Sequence, residues 1–315
     1  MPRTEGGRAD LARRISGLAG VGVRGLREVG AQHGVRHVRV TLAGGREAFA
    51  KVSGTDQGPA FEAEARGLRW LADAGGAAGA GGAGGAGGAA GAGGAGGAPV
   101  PEVLGWDERA LVLAWVPPGR ATPDAAERFG RELARTHGAG AESFGAPWPG
   151  YIASLPLDNR PWPASRGWPE WFAERRIRPF LRRAADGGTL GPADVRTVEA
   201  VIARIGEIAG PPEPPARIHG DCWSGNLIWS EGRGWLIDPA AHGGHRETDL
   251  AMLALFGAPH LDRILDGYTA TVPLADGWRS RVPLHQLHPL LVHVCLFGAG
   301  YRDAALQAAR SALSG

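Results

Sequence analysis

The chain has 315 residues, 21% of them charged, and a formal net charge of +2. That length can build one large domain or two modest ones with a real core, and the near-neutral balance gives no footing for a nucleic-acid partner. Residues 1–14 mix charges of both signs without an apolar run, no stretch reads as the ~18 apolar residues of a membrane span, and the two cysteines, Cys222 and Cys295, share no CxxC spacing; a cytoplasmic, monomeric protein is expected.

Asp10 to Leu18 reads as a short helix capped by Asp10. Gly20-Val-Gly22-Val-Arg-Gly25 matches the dinucleotide-binding GxGxxG pattern. That motif needs a strand before it and a helix after it, so that phosphate meets a helix N-terminus. Here a helix precedes and a strand follows, so the match is set aside. Val23 to Val29 reads as a strand and Gly30 to Gly34 as a turn placed where a phosphate-covering loop belongs. Val38, Val40 and Leu42 alternate along a second strand, and Gly44-Gly45 turns the chain into a third, Glu47 to Val52.

That third strand carries Lys51, the one lysine of the chain beside 33 arginines. A sequence that uses arginine wherever a positive charge is enough keeps lysine where the broad guanidinium fork will not serve. Lys51 is thus a functional candidate before any motif is consulted. Phe61 to Ala74 reads as a helix with Phe61, Ala65, Leu68 and Leu71 on one face. The same helix carries Glu62 and Glu64, of which Glu64 is the preferred partner of Lys51. Residues 75 to 98 are 14 glycines and 10 alanines, a tract unable to bury enough apolar surface to order itself. It reads as a flexible insertion that could be deleted without loss of activity. Arg109 to Val116 then reads as a strand whose end, Ala114-Trp115-Val116, offers backbone groups to adenine.

Beyond residue 117 the pattern becomes helical, with helices expected at Pro123 to Gly138, Pro169 to Ala185, Pro192 to Ala209 and Pro283 to Ala299. Ile218, Leu227 to Trp229 and Trp235 to Ile237 are short strands. The outline is an α+β, protein-kinase-like bilobal fold. Residues 1–116 would form the nucleotide-binding lobe and residues 117–315 the catalytic and substrate-binding lobe.

The densest signal is Ile218 to Asp249, IHGDCWSGNLIWSEGRGWLIDPAAHGGHRETD. His219-Gly-Asp221 is followed after four residues by Asn226, and Asp238 closes the apolar run Trp235-Leu-Ile237. Phosphoryl transfer needs a carboxylate to orient and deprotonate the attacking hydroxyl, and oxygen ligands to hold the metal of the triphosphate. HxDxxxxN followed by a strand-end aspartate supplies those parts in the order protein kinases use. Asp221 is the expected base, and Asn226 and Asp238 the expected Mg2+ ligands. In such a site Lys51 would hold the ATP phosphates. His219 reads as a loop-holding residue, and Cys222 as a small buried apolar one. His242 and His245 lie three apart with no further ligand nearby in sequence, too little for a zinc site. The arginine-rich helix Glu174-Arg-Arg-Ile-Arg178 reads as a solvated face.

These segments resemble the fructosamine kinase (ketosamine-3-kinase) family, relatives of the aminoglycoside phosphotransferases. The carrying residues are Phe49-Ala-Lys51-Val, Phe61-Glu-Ala-Glu64, Gly220-Asp221-Cys-Trp223-Ser224-Gly225-Asn226, Ile237-Asp238-Pro239-Ala240 and Gly244-His245-Arg-Glu-Thr-Asp249. The resemblance implies ATP-dependent phosphorylation of a sugar 3-hydroxyl in a ketosamine or other glycated amine, which makes the adduct labile and repairs the amine. It also implies that Trp223 stacks on the sugar and that His245 belongs to the substrate site. Two alternatives stay open: a kinase for another small acceptor, such as an aminoglycoside or amino alcohol, and a nucleotide-binding pseudokinase. An acidic acceptor pocket would favour a polycationic drug, and a neutral pocket with aromatic stacking a sugar adduct.

Overall fold

A computed structural model describes residues 3–75 and 96–315. Most of the Gly/Ala tract, and with it the expectation of a flexible insertion, lies outside the described residues. Its far end does not behave as expected: Ala98 is buried and its N–H donates to Thr136 Oγ1 at 2.9 Å.

The N-terminal part is an antiparallel sheet of five strands: β1 (Val23–Gln32), β2 (Val35–Leu42), β3 (Glu47–Ser53), β4 (Val103–Trp106) and β5 (Ala110–Ala114), in the order β1-β2-β3-β5-β4. Strand alternation sends Ala48, Ala50 and Val52 of β3 to one face, where they pack with Val38, Val40, Val112 and Ile15 of helix α1 (Arg3–Ala19). Phe49 and Lys51 take the other face. Helix α2 (Gly58–Ala72) covers that face through Phe61, Ala65, Leu68 and Leu71, packed with Leu111 and Leu113. The expected apolar stripe of α2 is thus the buried one, and Glu64 is carried to the lysine side of the sheet.

The rest is mainly helical. It comprises α3 (Pro123–Gly138), α4 (Trp168–Phe172), a π turn (Ala173–Ile177), α5 (Arg178–Asp186), α6 (Pro192–Ile208), α7 (Glu247–Leu255), α8 (Leu261–Thr271), α9 (Trp278–Phe297) and α10 (Arg302–Ser314). Short strands interrupt it: the hairpin β6–β7 (Gly150–Ile152, Leu155–Leu157), the hairpin β9–β10 (Leu227–Ser230, Arg233–Leu236), and β8 (Ala216–Ile218) paired with β11 (His242–Gly244). Helices α3 and α8 cross closely because glycines face each other. A Cβ on Gly130 would lie 1.9 Å from Ile264 O, and one on Gly267 would lie 2.0 Å from Glu127 O.

Several boundaries differ from the sequence reading. Helix α1 starts well before Asp10, which is therefore no cap and pairs instead with Arg13 one turn on. Strand β1 runs to Gln32, and the turn shrinks to His33-Gly34, with φ of 49° and 81°. Two positive φ values between Gln32 and Val35, which pair across the turn, are the type I′ geometry that suits strand twist. Pro283 does not open α9; it and Pro289 lie inside that helix. Trp278–Ser314, which joins α9 and α10 through a turn at Gly298–Tyr301, is long and apolar enough by length and composition alone to cross a membrane, a test that core helices also pass. Half of its apolar window is buried, and Leu284, Leu287 and Leu291 fill the helical core against Trp168, Trp171 and Phe172.

Candidate active site

A cleft of about 510 Å³ lies beside β3, α2 and the segments flanking the β9–β10 hairpin. Lys51, Glu64, Asp221, Trp223, Asn226 and Asp238 all line it, though the first and last are 187 residues apart. Lys51 Nζ donates to Glu64 Oε2 and to Asp238 Oδ1, each at 2.7 Å. Glu62 faces away and pairs with Arg66 at 2.8 Å. The preference for Glu64 over Glu62 therefore matches the geometry.

The loop after β8 is held by a network. Asp249, fully buried at the start of α7, accepts from His219 N at 2.7 Å through Oδ2 and from Gly220 N at 2.9 Å through Oδ1. The His137 ring from α3 meets the same carboxylate at 3.1 Å and the Tyr268 hydroxyl of α8 at 2.8 Å. The close α3–α8 crossing thus supports the clamp. Asp221 N donates to His219 Nδ1 at 3.3 Å, so Nε2 carries the proton and donates to Ile237 O at 2.9 Å. His219 ties the Asp221 loop to the strand end before Asp238, the structural role expected of it. Gly220 has φ of 80°, and a Cβ there would lie 2.4 Å from Ala240 O, so only glycine fits.

Asn226 Nδ2 donates to Asp221 O at 3.0 Å and to Asp221 Oδ2 at 2.8 Å. Burial, with the nearby Asp238 and Asp249 charges, pushes the Asp221 carboxyl up to about 7 against the pull of the Asn226 amide. Two carboxylates compete for the Lys51 ammonium. Glu64 is the more enclosed of the two, and its carboxyl is held above the ordinary range because burial outweighs the lysine. For Asp238 burial pushes the carboxyl up, but Lys51 outweighs it and the net shift is downward. Lys51 is held well above its usual value, because the two carboxylates outweigh its burial. Asp238 has φ of 54°, a left-handed conformation uncommon outside glycine.

The donor set fits a hard divalent cation. Asn226 commits its amide nitrogen to Asp221, which leaves Oδ1 as its open oxygen, and Asp238 commits Oδ1 to Lys51, which leaves Oδ2. Glu64 Oε1, buried and without a partner, is a further acceptor in the cleft wall.

Other expected site residues fall differently. Trp223 lines the cleft, its ring resting edge-on against Phe256 at 5.6 Å and over Gly225, where a Cβ would lie 2.3 Å from the indole. His245 does not reach the cleft. It is buried between Trp168 and His285, with ring centroids at 4.9 Å to each, and its Nδ1 accepts from Glu247 N at 3.2 Å. Its assignment to the substrate site is therefore corrected: apolar and aromatic packing on both sides makes it a core residue. His245, Glu247 and His285 each offer a possible metal ligand, but Arg281 already holds the Glu247 carboxylate by two bonds, at 2.6 and 2.9 Å. At the strand end, Ala114 N donates to Glu102 O at 2.8 Å and Trp115 N to Glu47 O at 3.2 Å. Those two donors are engaged, and Ala114, Trp115 and Val116 are not among the residues lining the cleft, so the structure does not bring this expected adenine contact together with the rest of the site. The arginine helix is not wholly solvated either, since Arg176 is buried. Asp249 and His137 were missed as loop supports; a buried carboxylate under two backbone N–H groups has no signature in local spacing.

Residues 22–314 match the sequence profile described as fructosamine kinase. The chain belongs to the fructosamine kinase family. It is 52% identical to a Thermobifida fusca protein assigned as a fructosamine-3-kinase, whose crystal structure superposes with a TM-score of 0.86 over 97% of this chain and 99% of that one. A probable ketoamine kinase of Thermus thermophilus is 34% identical over 250 residues, 79% of this chain and 80% of the relative. The fold extends further: a macrolide 2′-phosphotransferase of Brachybacterium faecium is 16% identical with a TM-score of 0.56, over 95% of this chain and 96% of that one. The protein is thus a protein-kinase-like phosphotransferase of the sugar-amine kinase class, and ATP use follows from that class.

Proposed function

We propose that this fructosamine kinase family member transfers the ATP γ-phosphoryl group to a hydroxyl of a ketosamine, and that Asp221 is the base. The observation that carries the reading is the convergence of Lys51, Glu64, Asp221, Asn226 and Asp238 in one cleft. Lys51, kept cationic by its two carboxylates, binds phosphate oxygens. Glu64 fixes the direction of the ammonium. Asn226 and Asp238 are the residues that would hold Mg2+, which supplies charge neutralisation for the triphosphate. The Asp221 carboxyl accepts the hydroxyl proton, and a value near 7 suits that task. Asn226 keeps Asp221 oriented, and the Asp249 clamp holds their loop.

The acceptor side favours a ketosamine over a polycationic drug. The carboxylates lining the cleft are Glu64, Asp221 and Asp238, all already assigned above. The remaining walls carry no carboxylate and include the aromatic rings of Trp148, Tyr151, Trp223, His293 and Phe297 beside neutral polar and aliphatic groups. Such a surface stacks on a sugar and its neutral substituents. A repair role in deglycation follows from that acceptor class.

The test is ATP consumption with magnesium on a fructosamine, a ribulosamine, a free ketose and an aminoglycoside, with wild type and Asp221→Asn. Turnover on the ketoamines alone, reduced about 10²–10⁴-fold in the variant with nucleotide still bound, is the expected result. Turnover confined to the aminoglycoside would replace the acceptor, and undiminished turnover by Asp221→Asn would remove the base.

A further inference from the structure

Gly220, the residue before Asp221, also lines a second, smaller cavity of about 20 Å³. Trp171, Arg176, His242, Thr248 and His288 complete its polar lining. The π turn between α4 and α5 contributes Arg176, β11 contributes His242, and α9 contributes His288.

Arg176 is 2% exposed, and among the described residues no carboxylate bonds to it. Its Nη1 donates to Asp158 O at 3.0 Å and Arg175 O at 3.1 Å, and its Nη2 to Asn159 Oδ1 at 2.6 Å. All three acceptors are neutral. The nearby Asp158 carboxylate is taken by Arg160, at 2.7 and 3.0 Å, and by Arg175. Three guanidinium groups therefore share one carboxylate, and the most enclosed of them lacks direct contact with it. An unpaired buried charge is costly. The Trp171 ring, 4.4 Å from the guanidinium, offsets part of that cost.

The unsatisfied atoms point the same way. Arg176 Nε, Trp171 Nε1 and His288 Nε2 are buried and have no partner. The first two are N–H donors that cannot accept. Thr248, the hydroxyl in the lining, is engaged with His285 Nδ1 at 3.0 Å. His242, whose Nδ1–H goes to Ala240 O at 2.7 Å, keeps one ring lone pair, so a water placed among these groups would find more donors for its lone pairs than acceptors for its hydrogens. An anion needs donors alone and supplies the missing charge. The volume admits one particle little larger than a water, which excludes sulfate and phosphate.

We propose that this cavity binds a single monatomic anion, chloride under ordinary conditions, held by Arg176 with Trp171 and His288. The anion joins the π turn, β11 and α9 to Gly220, and so steadies the loop that carries Asp221. The site is independent of the phosphoryl-transfer assignment, since none of its ligands belongs to the cleft set.

The test uses the full chain in two measurements. Crystals soaked in bromide are recorded at the bromine absorption edge, and thermal unfolding is followed in potassium chloride and in potassium gluconate at matched ionic strength. Gluconate is too large to enter. An anomalous peak within hydrogen-bond reach of Arg176 Nε is expected, with a saturable rise in Tm of roughly 2–4 °C at chloride tenfold above its dissociation constant. Arg176→Gln should remove both. If that variant does not fold, the wild-type bromide map and chloride titration decide alone. A water in the cavity with no anomalous signal, or equal Tm in the two salts, overturns the proposal. So does bromide that appears at crystal concentration only.

Discussion

Two buried ionic clusters in this chain invite comparison. In the cleft, Lys51 serves Glu64 and Asp238 at once, and Glu64 Oε1 is left without a partner. In the helical core, Glu247 takes two bonds from Arg281 and lies 3.3 Å from His285 Nε2. The first cluster has more carboxylate than cation and borders open volume. The second matches its carboxylate with a guanidinium, although His285 Nε2 within it makes no hydrogen bond. Their carboxyls shift in opposite directions: Glu64 is held up by burial, whereas burial at Glu247 is outweighed by His285 and Arg281, which bring it down to about 2. A buried charge cluster left unbalanced beside a cavity is arranged for something that arrives later; a balanced one holds helices together.

The comparison can be broken by mutation. Arg281→Ala should strip Glu247 of its charge partner and destabilise the protein by about 3–5 kcal/mol, measured by denaturant unfolding, with KM for ATP unchanged in the folded fraction. A loss below ~1 kcal/mol would show that the core cluster is not the matched unit described here.

Lys51→Arg should do the reverse. Turnover is expected to fall about 10²–10³-fold, because the planar fork cannot replace a point charge, while the Tm stays within a few degrees of wild type. Wild-type turnover by this variant would defeat the inference drawn from the chain's single lysine.

Acid should reach the core cluster and its neighbours. Burial brings the His242 ring down to about 3, and His245 and His285 are also lowered by burial. A histidine held below its unfolded value of about 6.5 stabilises fully above that pH, and the stability is lost as pH falls. Glu247 adds its own loss between its unfolded value of about 4.5 and 2. Stability should therefore decline from pH 6.5 downward by up to ~1.4 kcal/mol per unit per group, checked by chemical unfolding at stepped pH. Flat stability from pH 7 to 4 would contradict it. The smallest effect is expected at the cleft wall: Trp223→Ala should raise KM for a ketosamine about tenfold, within the range of lost aromatic stacking, and leave KM for ATP alone.

Much of this arrangement was legible in the sequence where roles depend on local spacing. Asp221, Asn226 and Asp238 sit on one loop and one hairpin, so their order alone brings them together. Lys51 and Glu64 lie on adjacent elements whose periodicities of two and 3.6 aim both at one face. What depended on distant packing was not legible. Asp249 belongs to the family-like string, but it lies 29 and 30 residues from the backbone groups it clamps, and nothing local gives that role. His245 stands within the family-like string, yet adjacency in a motif does not say which way a side chain faces. Helix α7 is apolar enough all round to lack a clear stripe, and α9 holds two internal prolines, the first of which, Pro283, reads as a start.

The solitary lysine has a consequence outside catalysis. Reducing sugars glycate neutral, accessible amines, and the one ε-amine of this chain is 9% exposed, ion-paired and held in its charged form. Every other basic side chain, histidines aside, is arginine. A protein that works among sugar-modified amines thereby presents almost no side-chain amine of its own to the damage.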